Sequence, residues 1–329
     1  MVEQSQSYIK QAASLLGKTM PLLGLNALVY IAFFIIAVVW FSVWTALAVL
    51  GTTLIHGFVG LFCFVIAVGF GGWIWRIARR YLLYLVKGAH IAAMTDTMTG
   101  RDVPGGLNQI KYGQEIIKKY FKDVSMLFGL DMLINGVVRA LTGTVVNITN
   151  ILPLPGSARK LLRVIRTIIN RSLSYVDEAI LSHAIRRREP NVWASARHGT
   201  ILYAQGYKGI LLNTAKIYVL GKVLDIVLFA VLLVPFLGIA ALLDTAAGGF
   251  VFLAGLILAA IGSRLIELAF YEPFALAYVL VTYHRETEGL EPDPEWDQRL
   301  QDMSGKFREI VGKADSFTPE KRLETAESQ

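Results

Sequence analysis

The sequence predicts an all-α, polytopic integral membrane protein with four transmembrane helices. Two observations lead to this fold class. The 329 residues are 54% hydrophobic and only 17% charged, with a mean hydropathy of +0.52, whereas soluble domains are about 45 to 50% apolar. In addition, four stretches are long enough to cross a hydrocarbon core of about 30 Å, which takes roughly 20 helical residues. The same composition excludes a disordered chain and argues against a water-soluble globule.

The four predicted spans form two hairpins. The first pair is 25–50 and 54–75, joined by a tight turn at Gly51-Thr52-Thr53. The second pair is 223–243 and 251–283, and its last member is longer than one crossing requires. No cleavable signal peptide is predicted, because the first apolar run starts late, is too long and lacks a small-residue cleavage site.

Basic residues set the predicted orientation. The tail 284–329 carries 7 Lys/Arg and 12 Asp/Glu, so the rest of the chain has a net charge of +12. Cytoplasmic loops are enriched in Lys and Arg, which predicts a multi-pass protein of the plasma (inner) membrane with both termini cytoplasmic. The basic residues that flank the spans are Lys10, Lys18, Arg76, Arg79, Arg80, Lys87, Arg186, Arg187, Arg188 and Lys222.

The middle of the chain is apolar but interrupted by polar residues. A crossing by 123–153 would export the basic cluster that follows it, from Arg159 to Arg171. A re-entrant hairpin, or an amphipathic helix lying in the interface, is therefore favoured over a true crossing. The next stretch, 160–188, has apolar residues at three-and-four spacing and predicts a long amphipathic helix.

These observations divide the chain into five segments. They are a cytoplasmic segment 1–24, a transmembrane hairpin with a cytoplasmic extension 25–95, amphipathic and re-entrant helices 96–222, a second hairpin 223–283 and a charged tail 284–329. The tail predicts a cytoplasmic amphipathic helix that packs on its own chain or on a neighbouring subunit of a homo-oligomer. Its apolar stripe is Trp296, Leu300, Met303, Phe307 and Ile310.

Ionisable residues inside spans are costly and are functional candidates by default. One interpretation is local pairing, since Lys222 and Asp225 lie three apart, as do Arg264 and Glu267. The other makes a carboxylate a proton site or a counter-charge for a cationic substrate, with aromatic rings as further contacts. The candidate pathway residues are Asp225, Lys222, Glu267, Glu272, Asp131, Tyr218 and Tyr271.

Small residues predict a helix-packing ridge in the last span. Gly255, Ala259 and Ser263 fall four apart on one face, which lets another helix approach closely.

Enzymatic chemistry and cofactors are not predicted. The five histidines lack metal-ligand spacing, the single Cys63 lies in an apolar run, and no nucleophile elbow, Walker loop or zincin motif occurs. No nucleic-acid recognition motif occurs either. The expected surroundings are a bilayer with anionic headgroups.

The last third resembles the choline transporter-like family. The pattern reads Asn213-x-x-Lys216-x-x-Val219-Leu220-x-Lys222-Val223-x-Asp225-x-x-x-Phe229, followed by Gly262-Ser263-x-Leu265-Ile266-x-x-x-Phe270. The resemblance covers about 206–287 and implies a membrane carrier for choline or a related amine. The leading functional prediction is thus a transporter or channel for a small cation. The alternative is a non-transporting scaffold or assembly subunit that organises lipids or partner proteins.

Overall fold

The computed structural model describes residues 2–54, 57–78, 84–120, 124–147, 168, 175–242 and 245–317, and within these ranges it contains helices and no strands. The π-helical segment Glu267–Tyr271 joins two α-helices without a break. The helices are α1 Val2–Lys18, α2 Met20–Leu54, α3 Gly57–Ala78, α4 Tyr84–Met98, α5 Asn108–Tyr120, α6 Val124–Asn147, α7 Val176–Arg187, α8 Val192–Ala241, α9 Thr245–Ile266, α10 Glu272–Glu286, α11 Pro294–Met303 and α12 Gly305–Asp315.

The chain forms two compact units. The first, called the apolar unit, consists of Pro21–Lys87 and Leu220–Pro273. The second, called the polar unit, consists of Met1–Met20, Gly88–Val219 and Phe274–Gln329. The apolar unit ends at Lys87 and at Pro273, whereas the predicted transmembrane segments ended at 95 and 283. The residues that follow Lys87 and Pro273 contribute to the core of the polar unit.

The surface of the apolar unit is rich in large apolar side chains. A soluble protein rarely exposes a contiguous apolar surface on this scale, whereas a lipid-facing surface requires one. The exposed residues include Leu28, Ile31, Ile35, Val39, Phe58, Phe62, Val65, Val223, Ile226, Val231, Val234 and Leu253. Its interior has a small core formed by Ala27, Tyr30, Leu265, Leu268 and Ala269.

Three segments within the described residues are long and apolar enough to cross a membrane. They are Met20–Leu47, Val192–Ala241 and Val251–Glu286. The remaining predicted span, 54–75, coincides largely with α3, several of whose side chains lie outside the described part. The lengths of these helices and the exposed apolar surface are typical of an integral membrane protein.

Helix α6 accounts for the apolar middle segment. Its buried face packs within the polar unit against α7, α11 and α12. The buried residues of α6 are Leu130, Leu133, Ile134, Val137, Val138 and Leu141. Protein therefore covers this face. The return leg of the predicted re-entrant hairpin lies outside the described residues, and so does the part of the predicted amphipathic helix before Val176, apart from Ile168 and Tyr175.

The tail folds as two helices rather than the one predicted. Ser304 interrupts the pattern with an extended backbone, and its hydroxyl accepts a hydrogen bond from the Phe307 amide at 3.3 Å, which caps α12. Helix α11 begins in the same way, with the Asp293 carboxylate accepting from the Glu295 amide at 2.8 Å. Leu300, Phe307 and Ile310 are fully buried within the polar unit.

Candidate functional site

Four ionisable side chains meet in the apolar unit around Glu267. The Glu267 carboxylate is 5% exposed and accepts hydrogen bonds from Lys222 at 3.1 Å and from Arg264. The Lys222 ammonium also lies 3.3 Å from Oδ2 of Asp225. The two helices α8 and α9, together with the π-helical segment, thus bring two cations and two carboxylates together, and the group is neutral as a whole.

One carboxylate oxygen of this group lacks a hydrogen-bond partner among the described residues. The Oδ1 atom of Asp225 is buried and accepts no hydrogen bond from the described residues. A buried acceptor without a donor costs about 1 to 3 kcal/mol. Such an oxygen is a natural contact for a cation or a proton that enters the site.

The π-helical segment supplies a second unusual feature at this position. A π-helical turn disrupts the regular hydrogen-bond ladder and is frequent at functional sites. Here the amide of Asn26 donates to the carbonyls of Leu268 at 3.2 Å and of Ala269 at 3.1 Å. Asn26 was not among the predicted site residues, although a lone amide near the start of an apolar span is a usable signal.

The other predicted residues are distributed over both units. Glu272 pairs with Lys87 at 3.1 Å in the apolar unit, and the ring of Tyr271 lies against Gly221, where a side chain would collide with it. Tyr218 is half-buried and precedes Lys222 by one turn of α8, but it belongs to the polar unit. Asp131 lies on α6 of the polar unit, and its side chain is outside the described part.

The predicted small-residue ridge faces the interior of the apolar unit. Ala259 and Ser263 are buried, and Phe236 of α8 lies so close to Gly255 that no side chain would fit there. Gly262, beside this ridge, is approached by Leu232 and Phe34. Small residues therefore let α9 approach its neighbours closely.

The polar unit contains a buried carboxylate that sequence reasoning missed. Asp96 is fully buried and binds Arg101 Nη1 at 2.6 Å, Arg188 Nη2 at 2.5 Å and the Tyr112 hydroxyl at 2.8 Å. Burial and the hydrogen bond to Asp96 raise the pKa of Tyr112. Arg188 ends α7 in the left-handed conformation, with φ of 53°, which costs free energy that the contact with Asp96 offsets.

A directed chain of hydrogen bonds crosses the same unit. Arg186 can only donate, so Nδ1 of His284, 3.2 Å away, must accept. Nε2 of His284 then carries the proton and donates to Ser182 Oγ at 2.9 Å. Because the Thr95 hydroxyl donates to the Ile91 carbonyl at 2.6 Å, Ser182 donates to Thr95 at 2.7 Å. His284 is thereby held neutral, unlike the histidine of a catalytic serine–histidine pair, which accepts the serine proton.

Two further buried histidines predict a pH dependence of stability. Burial lowers the pKa of His90 to about 4 and that of His183 to about 2. Between pH 6.5 and these pKa values the unfolded chain binds protons that the folded protein excludes. The free energy of unfolding should therefore be highest above pH 6.5 and fall as the pH is lowered. At pH 5 each histidine should lower the free energy of unfolding by about 2 kcal/mol. Thermal unfolding of the detergent-solubilised protein between pH 7 and pH 5 measures this loss.

The variant His90→Gln serves as the control for the pH experiment. Glutamine keeps a donor for the Thr19 hydroxyl, which His90 Nε2 contacts at 3.0 Å, but it does not titrate. The variant should lose less stability on acidification than the natural protein. Equal losses of stability in the two proteins would mean that protonation of His90 does not cause the loss at low pH.

Comparisons with known proteins identify no relative of this chain. No protein-family model matches the chain, and no curated protein or solved structure matches it. The resemblance to the choline transporter-like family therefore rests on the residue pattern of 206–287 alone.

Proposed function

We propose that the protein is a multi-pass membrane carrier or channel for a small cation such as choline, with Asp225 as a cation-binding or proton-binding group. The observation that carries this proposal is the buried Oδ1 atom of Asp225, which lacks a hydrogen-bond partner in the described part of the chain. Ionisable groups inside membrane helices usually mark substrate or ion pathways. A cation entering here would meet a carboxylate oxygen that is already desolvated.

The neighbouring charges could neutralise the site both with and without a bound cation. Lys222 touches both Asp225 and Glu267, and Arg264 also binds Glu267. An arriving cation would compete with Lys222 for Asp225, while Glu267 would continue to hold the displaced ammonium. The exchange leaves each of the two carboxylates with a cation, which keeps the desolvation penalty low.

The experiment is uptake into proteoliposomes over a panel of amines, inorganic cations and anions, comparing the natural protein with Asp225→Asn. Uptake of the cation should fall about tenfold or more, since a hydrogen bond to a charged group is worth about 1.5 to 3 kcal/mol. Stability should fall by about 1 kcal/mol or less, because Lys222 keeps Glu267 at 3.1 Å. An Asp225→Asn protein that transports normally would remove Asp225 from the site.

Two further variants separate pairing from function. Glu267→Gln leaves both Lys222 and Arg264 without their shared carboxylate, so its main effect should be lost stability. The double variant Lys222→Met with Asp225→Asn removes one charge of each sign. A functional Asp225 predicts that activity stays lost in this variant even when stability returns, whereas a structural pair predicts that both return.

We also propose four crossings with both termini and the central segment on the cytoplasmic side. The way the polar unit is assembled supports this topology, because three separate stretches of the chain belong to one compact unit. They are Met1–Met20, Gly88–Val219 and Phe274–Gln329. Each hairpin of the apolar unit must then leave and return to the same side. The basic residues near Lys18 and Arg186 give that side its cytoplasmic assignment.

Cysteine labelling of a Cys63-free protein measures the topology. A cysteine replacing Leu242, which is 87% exposed at the end of α8, should react with a membrane-impermeant thiol reagent added outside the cell. A cysteine replacing Asp302 in the exposed part of the tail should react only after the cells are permeabilised. External labelling at Asp302 would contradict the proposed orientation.

The scaffold alternative depends on surfaces that could hold a partner. The apolar stripe of the tail is one such surface, but its residues Leu300, Phe307 and Ile310 are already buried by their own chain. Uptake experiments distinguish the two functions, since a scaffold should transport nothing in the panel.

A further inference from the structure

A cavity of about 700 Å³ lies within the polar unit. It is bordered by α1, the end of α4 with the turn that follows, the end of α7 and the end of α10. Its size falls in the range of small-molecule sites, about 300 to 1,000 Å³. The lining residues are Gln11, Ser14, Leu15, Lys18, Thr97, Met98, Thr99, Arg101, Arg186, Val281, His284, Arg285 and Glu288.

The cavity wall is strongly basic. Four of its residues are Lys or Arg and one, Glu288, is acidic, which leaves an excess of three positive charges. Glu288 lies 3.1 Å from Arg285, and the buried Asp96 beside the cavity is shared by Arg101 and Arg188. A cationic ligand would be repelled here, so this cavity differs in chemistry from the Asp225 site.

Two of the cations have no acidic partner in the part of the chain that the structure describes. Neither Lys18 nor Arg186 forms an ion pair with any residue that the structure describes. Lys18 ends α1, where its ammonium has no hydrogen-bond partner within the same described ranges. A wall with two unneutralised cations favours an anion, since an oxyanion would provide both with a counter-charge.

Arg186 is positioned by the hydrogen-bond chain described above. Its Nη1 donates to His284, and the chain runs on through Ser182 and Thr95 to a backbone carbonyl. This arrangement fixes one edge of the guanidinium and leaves its other donors for a ligand. A guanidinium held in this way is suited to planar or tetrahedral oxyanions.

We propose that the cavity binds an anion bearing phosphate oxygens, with Lys18 and Arg186 as its main contacts. The Ser14 hydroxyl lines the same cavity and can donate to a remaining oxygen, whereas the hydroxyls of Thr97 and Thr99 already donate to the carbonyls of Ala93 and Asp96. The phosphate belongs either to a soluble phosphomonoester or to a phospholipid headgroup. Both share the recognised chemistry, and Lys18 precedes the first residue of the membrane-spanning helix α2 by only two positions.

The test uses the full chain purified in detergent. Calorimetric titration with inorganic phosphate and with glycerol phosphate covers the soluble source, and retention of phosphatidylglycerol against phosphatidylcholine in native mass spectra covers the lipid source. Binding of the soluble anions identifies a metabolite site, while selective retention of phosphatidylglycerol alone identifies a headgroup site. Either result supports the proposal, and binding in neither arm overturns it.

Matched lysine variants separate the cavity from general surface charge. Lys18→Met should weaken the interaction about tenfold, whereas Lys10→Met, on an exposed position of the same helix, should leave it unchanged. Both variants remove one positive charge. Equal weakening by the two variants would mean diffuse attraction to a basic surface and would overturn the proposal, as would unchanged binding to Lys18→Met.

Discussion

Replacing Asp96 by asparagine should destabilise the protein by about 3 kcal/mol, because breaking a buried ion pair leaves uncompensated charge. Asparagine keeps one acceptor oxygen but carries no charge, so Arg101 and Arg188 would lose the counter-charge that they share, and the contact that offsets the left-handed backbone of Arg188 would be weakened. Each arginine is about one-third exposed, so water takes up part of the loss and the effect stays at the lower end of the range for buried pairs. Thermal or denaturant unfolding in detergent measures the change.

Asp102→Asn is the matched control for Asp96. The two aspartates lie six residues apart, but Asp102 is exposed, and its substitution should change stability by less than about half a kcal/mol. Similar midpoints for the two variants would show that the buried carboxylate does not hold α4 and α7 together.

The second large effect should come from Leu300→Ala in the tail. Leu300 is fully buried, and its helix contacts both α6 and α12. Truncating a buried leucine costs about 2 to 5 kcal/mol, through lost burial and the cavity left behind. Limited proteolysis should cut the tail of this variant faster.

Leu290→Ala provides the comparison for the tail experiment. Leu290 lies between α10 and α11 and is 37% exposed, so the same change of side chain should have a much smaller effect there. Equal protease sensitivity in the two variants would mean that the burial of Leu300 does not stabilise the tail.

Sequence patterns predicted the helical class because lipid and helix geometry impose strong, local signals. Runs such as 25–50 are apolar on all sides, and the spacing of Leu300 and Phe307 required an amphipathic tail. The patterns did not predict that α6 is covered by protein, because an apolar face has the same sequence whether lipid or another helix covers it. The tail helix is interrupted at Ser304 because the Ser304 hydroxyl caps α12, and the spacing of apolar residues does not reveal such a cap.

The charged group was predicted only in part for a similar reason. Lys222 with Asp225 and Arg264 with Glu267 are neighbours on one helical turn, so spacing alone suggested both pairs. The link between Lys222 and Glu267 spans 45 residues, and it depends on tertiary packing. Asp96 was missed because its two arginines are 5 and 92 positions away, and only the folded chain brings them to one carboxylate.

The discontinuity of the polar unit has a consequence for biogenesis. Its three stretches are separated by the two stretches of the apolar unit, Pro21–Lys87 and Leu220–Pro273, and α6 is covered by α11 and α12, which follow both of those stretches in the chain. The polar unit can therefore close only after both stretches of the apolar unit and Phe274–Asp315 have been synthesised. Until then the buried face of α6 is an open apolar surface, which is a target for chaperones and proteases. The polar unit thus forms late, when its most distant stretches are present together, rather than stretch by stretch along the chain.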